Sequence, residues 1–130
     1  MLLNWRNQMV NELERLLSNS YAPYDNICFS AIVTTKDKKV FGGVSVKNAI
    51  FRDTIYAEQV AISRAVTLGY RYKDFDALYL MVSTNDLNDL KYINKDMILE
   101  FFEPDREIFL YNIKREVRVI KVGNLINHIY

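Results

Sequence analysis

The segment running from Gly42 to Ala61 restricts the fold of this chain more than any other. It reads as a strand end, a loop and the first turn of a helix. From Ala57 onward, Ala57, Val60, Ala61, Ala65 and Leu68 recur at helical spacing, and Ile62 and Val66 add a second stripe, so most of the circumference is apolar until Gly69. Such a helix belongs in the centre of a domain, with other layers arranged around it. Glu58 falls in its first turn, where unpaired backbone N–H groups and the helix dipole favour a carboxylate.

The flanking segments supply those layers. Residues 4–19 place Trp5, Met9, Leu13, Leu16 and Leu17 on one face and Arg6, Gln8, Asn11, Glu12 and Glu14 on the other, which predicts an amphipathic helix lying on a sheet. Ser18 to Pro23 end it. Residues 27–35 and 40–46 read as two strands, and the short polar link Lys36-Asp37-Lys38-Lys39 predicts an antiparallel hairpin. Beyond the central helix, the apolar run Ala77 to Val82 suits a strand buried on both faces. Asp86 to Asp89 are expected to cap a helix that covers Met97, Ile98, Phe101 and Phe102 and stops before Pro104. Residues 108–111 and 117–122 predict two more strands, and residues 125–130 a terminal helix. The order α-β-β-α-β-α-β-β-α predicts an α/β fold, a three-layer α/β/α sandwich around a five-stranded mixed sheet, as one domain over residues 1–130.

Composition excludes several classes. With 17 Lys and Arg against 16 Asp and Glu, the formal charge of +1 provides no field for a phosphate backbone, so no nucleic-acid partner is expected. No apolar run approaches the roughly 20 residues of a spanning helix, and the opening Met1-Leu2-Leu3-Asn4-Trp5-Arg6 is not a signal peptide. A soluble, cytoplasmic protein with no membrane partner is expected. The single cysteine, Cys28, lies between Ile27 and Phe29 and reads as a small core residue.

A family resemblance now has its residues. Ser20-Tyr21-Ala22-Pro23-Tyr24, Thr35 to Gly43, Val46-Lys47-Asn48-Ala49, Ala57-Glu58 and Leu99-Glu100-Phe101 follow the order and spacing of the small homotetrameric cytidine deaminases, which the chain resembles from its first helix to Tyr130. The Ser-Tyr-Ala-Pro-Tyr element is the most specific part. Blasticidin deaminases, of the same architecture, are a related family. In such enzymes a zinc ion held by three thiolate or imidazole ligands activates a water that attacks C4 of cytosine, and a glutamate shuttles protons. The resemblance puts that glutamate at Glu58.

The same resemblance puts the three zinc ligands at Tyr56, Lys91 and Asn94, none of which is an ordinary zinc donor. Register errors cannot repair this, because the whole chain holds one cysteine, Cys28, and one histidine, His128. An oxygen site built from Asp53, Glu58 and Asp96 would favour harder ions. No cofactor is therefore expected, although zinc is the family's. Substrate positions implied by the resemblance are Ile27, where the family stacks a Phe on the pyrimidine, Ser45 and Lys47, where it grips the ribose with Asn and Glu, and Ala57, Tyr24 and Tyr130. Exchanging a carboxylate for the ammonium of Lys47 reverses the hydrogen-bond roles. The Arg that supports the family's thiolates is here Gln59.

Glu58 keeps two readings at this point. It either faces a pocket and binds a polar ligand, or it is a helix-start carboxylate bonded to backbone N–H groups and to Tyr56. Lys47 and Lys91 read either as a phosphate-binding pair or as loop surface charge, and Lys91 and Asn94 as partial replacements for the metal. Tyr21 and Tyr24 read as packing or subunit-contact residues. The expected assembly is a homo-oligomer, a dimer or tetramer, with a nucleoside or nucleotide as candidate ligand. The favoured function is a catalytically inactive cytidine-deaminase-like module, and the alternative is an active nucleoside deaminase or hydrolase that uses Glu58 with an atypical metal site or none.

Overall fold

One sheet separates two helical layers, and the period of the sequence decides which side chains enter each. A computed structural model of the chain describes residues 2–50, 53–88 and 93–128. The elements are α1 (Leu2–Leu17), β1 (Phe29–Thr35), β2 (Val40–Val44), α2 (Ala57–Thr67), β3 (Phe75–Val82), α3 (Lys95–Phe101), β4 (Glu107–Tyr111), β5 (Val117–Lys121) and a 3₁₀ helix (Val122–His128). The sheet runs β2-β1-β3-β4-β5. β1 pairs antiparallel with β2 and β3, β4 pairs antiparallel with β5, and β3 and β4 are parallel. The expected α/β architecture with a five-stranded mixed sheet is the one found.

Met9, Val10, Leu13 and Leu17 of α1 pack on Ile32, Ala77, Tyr79, Met81, Phe109 and Tyr111 from one face of the sheet. Leu13 is fully buried there, a contribution of about 1.5–3 kcal/mol for one such side chain. On the opposite face Ala57, Ala61, Ile62 and Ala65 of α2, with Ile98 and Phe102 around α3, cover Ala31, Val33, Leu78, Leu80, Ile108 and Leu110. β3 is buried along almost its whole length because both layers meet on it. Cys28 is half-buried and packs with the α1 layer, so it borders the core where full burial was expected.

The seat of α2 is set by a close backbone approach. A Cβ on Gly43 would lie 2.6 Å from the Ala57 carbonyl oxygen and 2.8 Å from the Ala61 nitrogen. Only glycine lets β2 lie this near the first turn of the helix. Gly69 closes the other end in the left-handed region at φ 101°, donating to the Val66 carbonyl while Tyr70 donates to Ala65, the paired bonds of a Schellman cap. Leu68, expected in the apolar stripe, is instead 70% exposed as the C-cap residue.

Two expected elements are corrected. The cap of α3 is Asn94, whose Oδ1 accepts the Met97 N–H at 3.2 Å, well after Asp86; Asp89, the end of the expected capping segment, lies outside the described residues. The terminal element is a 3₁₀ helix that begins at Val122, earlier than residue 125, because Val122 and Gly123 donate to the Arg106 and Pro104 carbonyls. Among the described residues no helix is long and apolar enough to cross a membrane.

Candidate active site

The loop between β2 and α2 folds back on itself before the helix begins. Val46 and Ile55 exchange backbone bonds of 2.9 and 2.8 Å, while Tyr21 donates to the Ser45 carbonyl and accepts from Lys47 at 2.8 Å. This small ribbon brings the Tyr21 to Ile27 segment against the residues that follow β2. Ser45 is buried there. Its Oγ accepts the Phe29 N–H at 3.0 Å and lies 2.8 Å from the Ser20 Oγ, so the hydroxyl joins two chain segments of the scaffold.

Lys47 overturns its reading as surface charge. The side chain is 5% exposed, and Nζ donates to the Asp25 carboxylate at 2.8 Å and to the Ile27 carbonyl at 2.7 Å. Burial alone would raise the Asp25 pKa, but the bond from Lys47, the Ile27 N–H at 3.0 Å and the ammonium charge hold it below the usual carboxylate value. Asp25 is the residue of this group that sequence reasoning missed. The one local signal was an acid two residues before Ile27, able to accept the Ile27 amide in an Asx turn, with Asn26 beside it at φ 60°. Ile27 itself is half-buried and enters this group through its backbone.

Glu58 lies in the first turn of α2 and is completely shielded from solvent. Its Oε1 accepts the backbone N–H of Asn94 at 2.6 Å, a bond that joins the start of α2 to the cap of α3. Its Oε2 has no hydrogen-bond partner among the described residues. Burial pushes the carboxyl up to about 7, against the opposing pull of the Asn94 amide and its own. The helix-start reading expected bonds from backbone N–H groups and to Tyr56. Backbone N–H groups are what the carboxyl meets, its own and, across the fold, that of Asn94.

Tyr56 is the N-cap of α2 in extended backbone, and its N–H donates to the Gln59 Oε1 at 3.3 Å. Gln59 thus braces the helix start. Ala57 is buried against the sheet, and Tyr24 is 54% exposed. The structure therefore brings Glu58 together with Asn94, and Lys47 with Ile27 and Asp25. Lys91 and Tyr130 lie outside the described residues.

The donor set can be tested against a metal ion. Among the described residues, no three His, Cys, Asp or Glu side chains are placed to hold one. Cys28 packs in the α1 layer while Glu58 belongs to the opposite one, and the Asn94 amide oxygen is engaged in capping α3. Asp53 and Asp96 are exposed and Glu58 is not, so the oxygen site imagined from these three does not assemble. The described residues do not fit a three-ligand zinc site.

Comparisons with known proteins agree on the family. The chain is similar to a cytidine deaminase of Mycoplasma genitalium, 23% identical over 124 residues that cover 95% of this chain and 92% of the relative. It is also similar to a cytidine deaminase of Sporosarcina psychrophila, 24% identical over 119 residues covering 92% of this chain and 86% of the other. The crystal structure of cytidine deaminase from Burkholderia pseudomallei superposes with a TM-score of 0.81 at 28% identity, covering 92% of this chain and 94% of that one. Residues 3–85 match the family described as the cytidine and deoxycytidylate deaminase zinc-binding region, and the chain belongs to that family.

Proposed function

We propose that this chain is a cytidine-deaminase-like protein that does not catalyse zinc-dependent deamination and serves as a ligand-binding or protein-interaction module. The observation that carries this reading is the engagement of Glu58 by the Asn94 amide in a fully shielded position, where the described residues offer no trio of metal donors. A deaminating centre needs an ion to make hydroxide at neutral pH and a carboxylate in reach of it. The family positions hold Tyr56, Lys91 and Asn94 instead.

The change extends to the ligand side. Lys47, at the position where the resemblance implies a hydroxyl-gripping carboxylate, spends its ammonium on Asp25 and Ile27, and Ser45 spends its hydroxyl on Phe29 and Ser20. A nucleoside would have to displace these bonds. Exposed side chains nearby, Tyr21 at 55%, Ile50 at 53% and Ile55 at 43%, support a homo-oligomeric contact on the ribbon that carries them. The protein then acts in the cytoplasm without a metal cofactor.

The competing reading is an active nucleoside deaminase or hydrolase. What favours it is Glu58, because a carboxyl with a pKa of about 7 is suited to proton transfer near neutral pH. Elemental analysis for zinc, with cytidine and deoxycytidine turnover followed by ultraviolet absorbance, separates the two. The inactive reading expects no stoichiometric zinc and no turnover. Turnover that disappears in Glu58→Gln would defeat it. Thermal-shift screening with nucleosides and nucleotides then distinguishes a small ligand, which raises the melting temperature, from a protein partner.

A further inference from the structure

The mismatch between the donor set and zinc raises a structural question, namely what fixes the start of α3 against the start of α2. We infer that Glu58 and the backbone amide of Asn94 form a metal-free tether between the two helices, with Glu58 as the positioning residue. This rests on the reading that no zinc occupies the site.

The geometry runs from a rigid base to a weak element. α2 is seated by the backbone contact of Gly43 with Ala57 and Ala61, so the carboxylate of Glu58 starts from a fixed point. α3 has seven residues, too few to hold a helical conformation without tertiary contacts. Asn94 provides both connections. Its side chain caps α3 through the Met97 N–H, and its own N–H, which no turn of the helix uses, donates 2.6 Å to Glu58. A hydrogen bond shielded from water is electrostatically stronger than the same bond at the surface. The contact spans 36 positions of sequence; it starts two residues after Tyr56 and ends on Asn94, the two positions where the resemblance implies metal ligands.

A tether of this kind uses one oxygen. That accounts for Oε1 being bonded while Oε2 has no partner among the described residues, and it means that an amide oxygen can substitute.

The experiment uses the full chain at pH 6, dialysed against chelator, with melting temperature and amide hydrogen exchange as readouts. Chelator and added zinc are expected to leave the melt unchanged, since neither a bound nor a lost ligand contributes. The Asn94 amide should exchange slowly. Glu58→Ala should lower the melting temperature by about 10 °C, by stranding that donor and opening a void. It should also speed Asn94 exchange at least about tenfold, the factor that a loss of about 1.4 kcal/mol in local protection produces. Glu58→Gln should melt within about 3 °C of the parent, a shift smaller than the loss of one net hydrogen bond. If Glu58→Ala does not fold, the Glu58→Gln melt and the parent's Asn94 protection decide. Bound zinc with a chelator-sensitive melt would overturn both this inference and the inactive reading. In metal-free protein, an unprotected Asn94 amide or a Glu58→Ala melt equal to the parent's would overturn the tether alone.

Discussion

Two ionisable side chains are buried near the start of α2, and they are stabilised in opposite ways. Lys47 meets a full counter-charge, the Asp25 carboxylate, together with the Ile27 carbonyl. Among the described residues Glu58 meets backbone amides alone, that of Asn94 and its own, and one of its oxygens has no partner there. The first group is matched by an acid whose own pKa is lowered. The second is pushed toward its neutral form, so its carboxyl titrates at about 7. A loop can bring charge to charge, because Tyr21 to Ile27 folds onto the segment after β2, whereas the helix start offers Glu58 only N–H groups. The two sites should therefore respond in opposite directions to acid and to substitution.

The largest effect is expected at Asp25. Asp25→Ala leaves the Lys47 ammonium buried without its carboxylate, which costs about 3–5 kcal/mol. Lys47→Met should cost less, about 1 kcal/mol, because the Asp25 side chain is 25% exposed and can hydrate when its partner is gone. Urea midpoints of the two variants provide the comparison. Equal losses would mean that the pair is not held as a buried cation with a surface-accessible acid.

Glu58→Gln sharpens the contrast through pH. The folded carboxyl, at about 7, lies above its unfolded value of 4.5, so the native state binds more protons between them and its stability falls as pH rises through that window. Relative to the Gln variant, the parent should lose about 3 kcal/mol between pH 4 and pH 8, following the difference of the two pKa values. Asp25 works the other way. Its lowered pKa makes its contribution complete above the unfolded value and lost as acid is added. Stability curves of parent and variant that stay parallel from pH 4 to pH 8 would place Glu58 in a more polar environment than its burial implies.

What the sequence made legible follows from the range of each interaction. The face of α1 carrying Met9, Leu13 and Leu17 was readable because its signal repeats within a few residues, and so were the hairpin around Lys36 to Lys39 and the Gly69 stop. The place of Glu58 in the first turn of α2 was readable, and its partner was not. The bond to Asn94 joins residues 36 positions apart, and Lys47 joins Asp25 across 22. Neither spacing is a period of helix or strand, so nothing local marks it. Lys47 read as surface charge because an isolated lysine in a loop is normally solvated, and only the distant carboxylate makes its burial affordable. The α3 cap was misplaced for a related reason. Several acids and asparagines between Asp86 and Asn94 satisfy the preference for an N-cap, and choosing among them requires knowing where the helix meets the sheet.

That choice leads to the smallest expected effect, at Asn94, which tests whether its two roles are separable. Asn94→Ala removes the Oδ1 acceptor for the Met97 N–H and keeps the backbone N–H that Glu58 binds. Loss of such a cap costs about 1 kcal/mol, a few degrees in the melt of a chain this size. Asn94→Ser, which restores an acceptor, should recover most of it. Combined with Glu58→Gln, which also preserves the tether, the loss should be close to the sum of the two single effects, because each substitution leaves the other's bond in place. A double variant that loses far more than the sum would show that the Asn94 side chain also orients the amide toward Glu58, making cap and tether one unit instead of two.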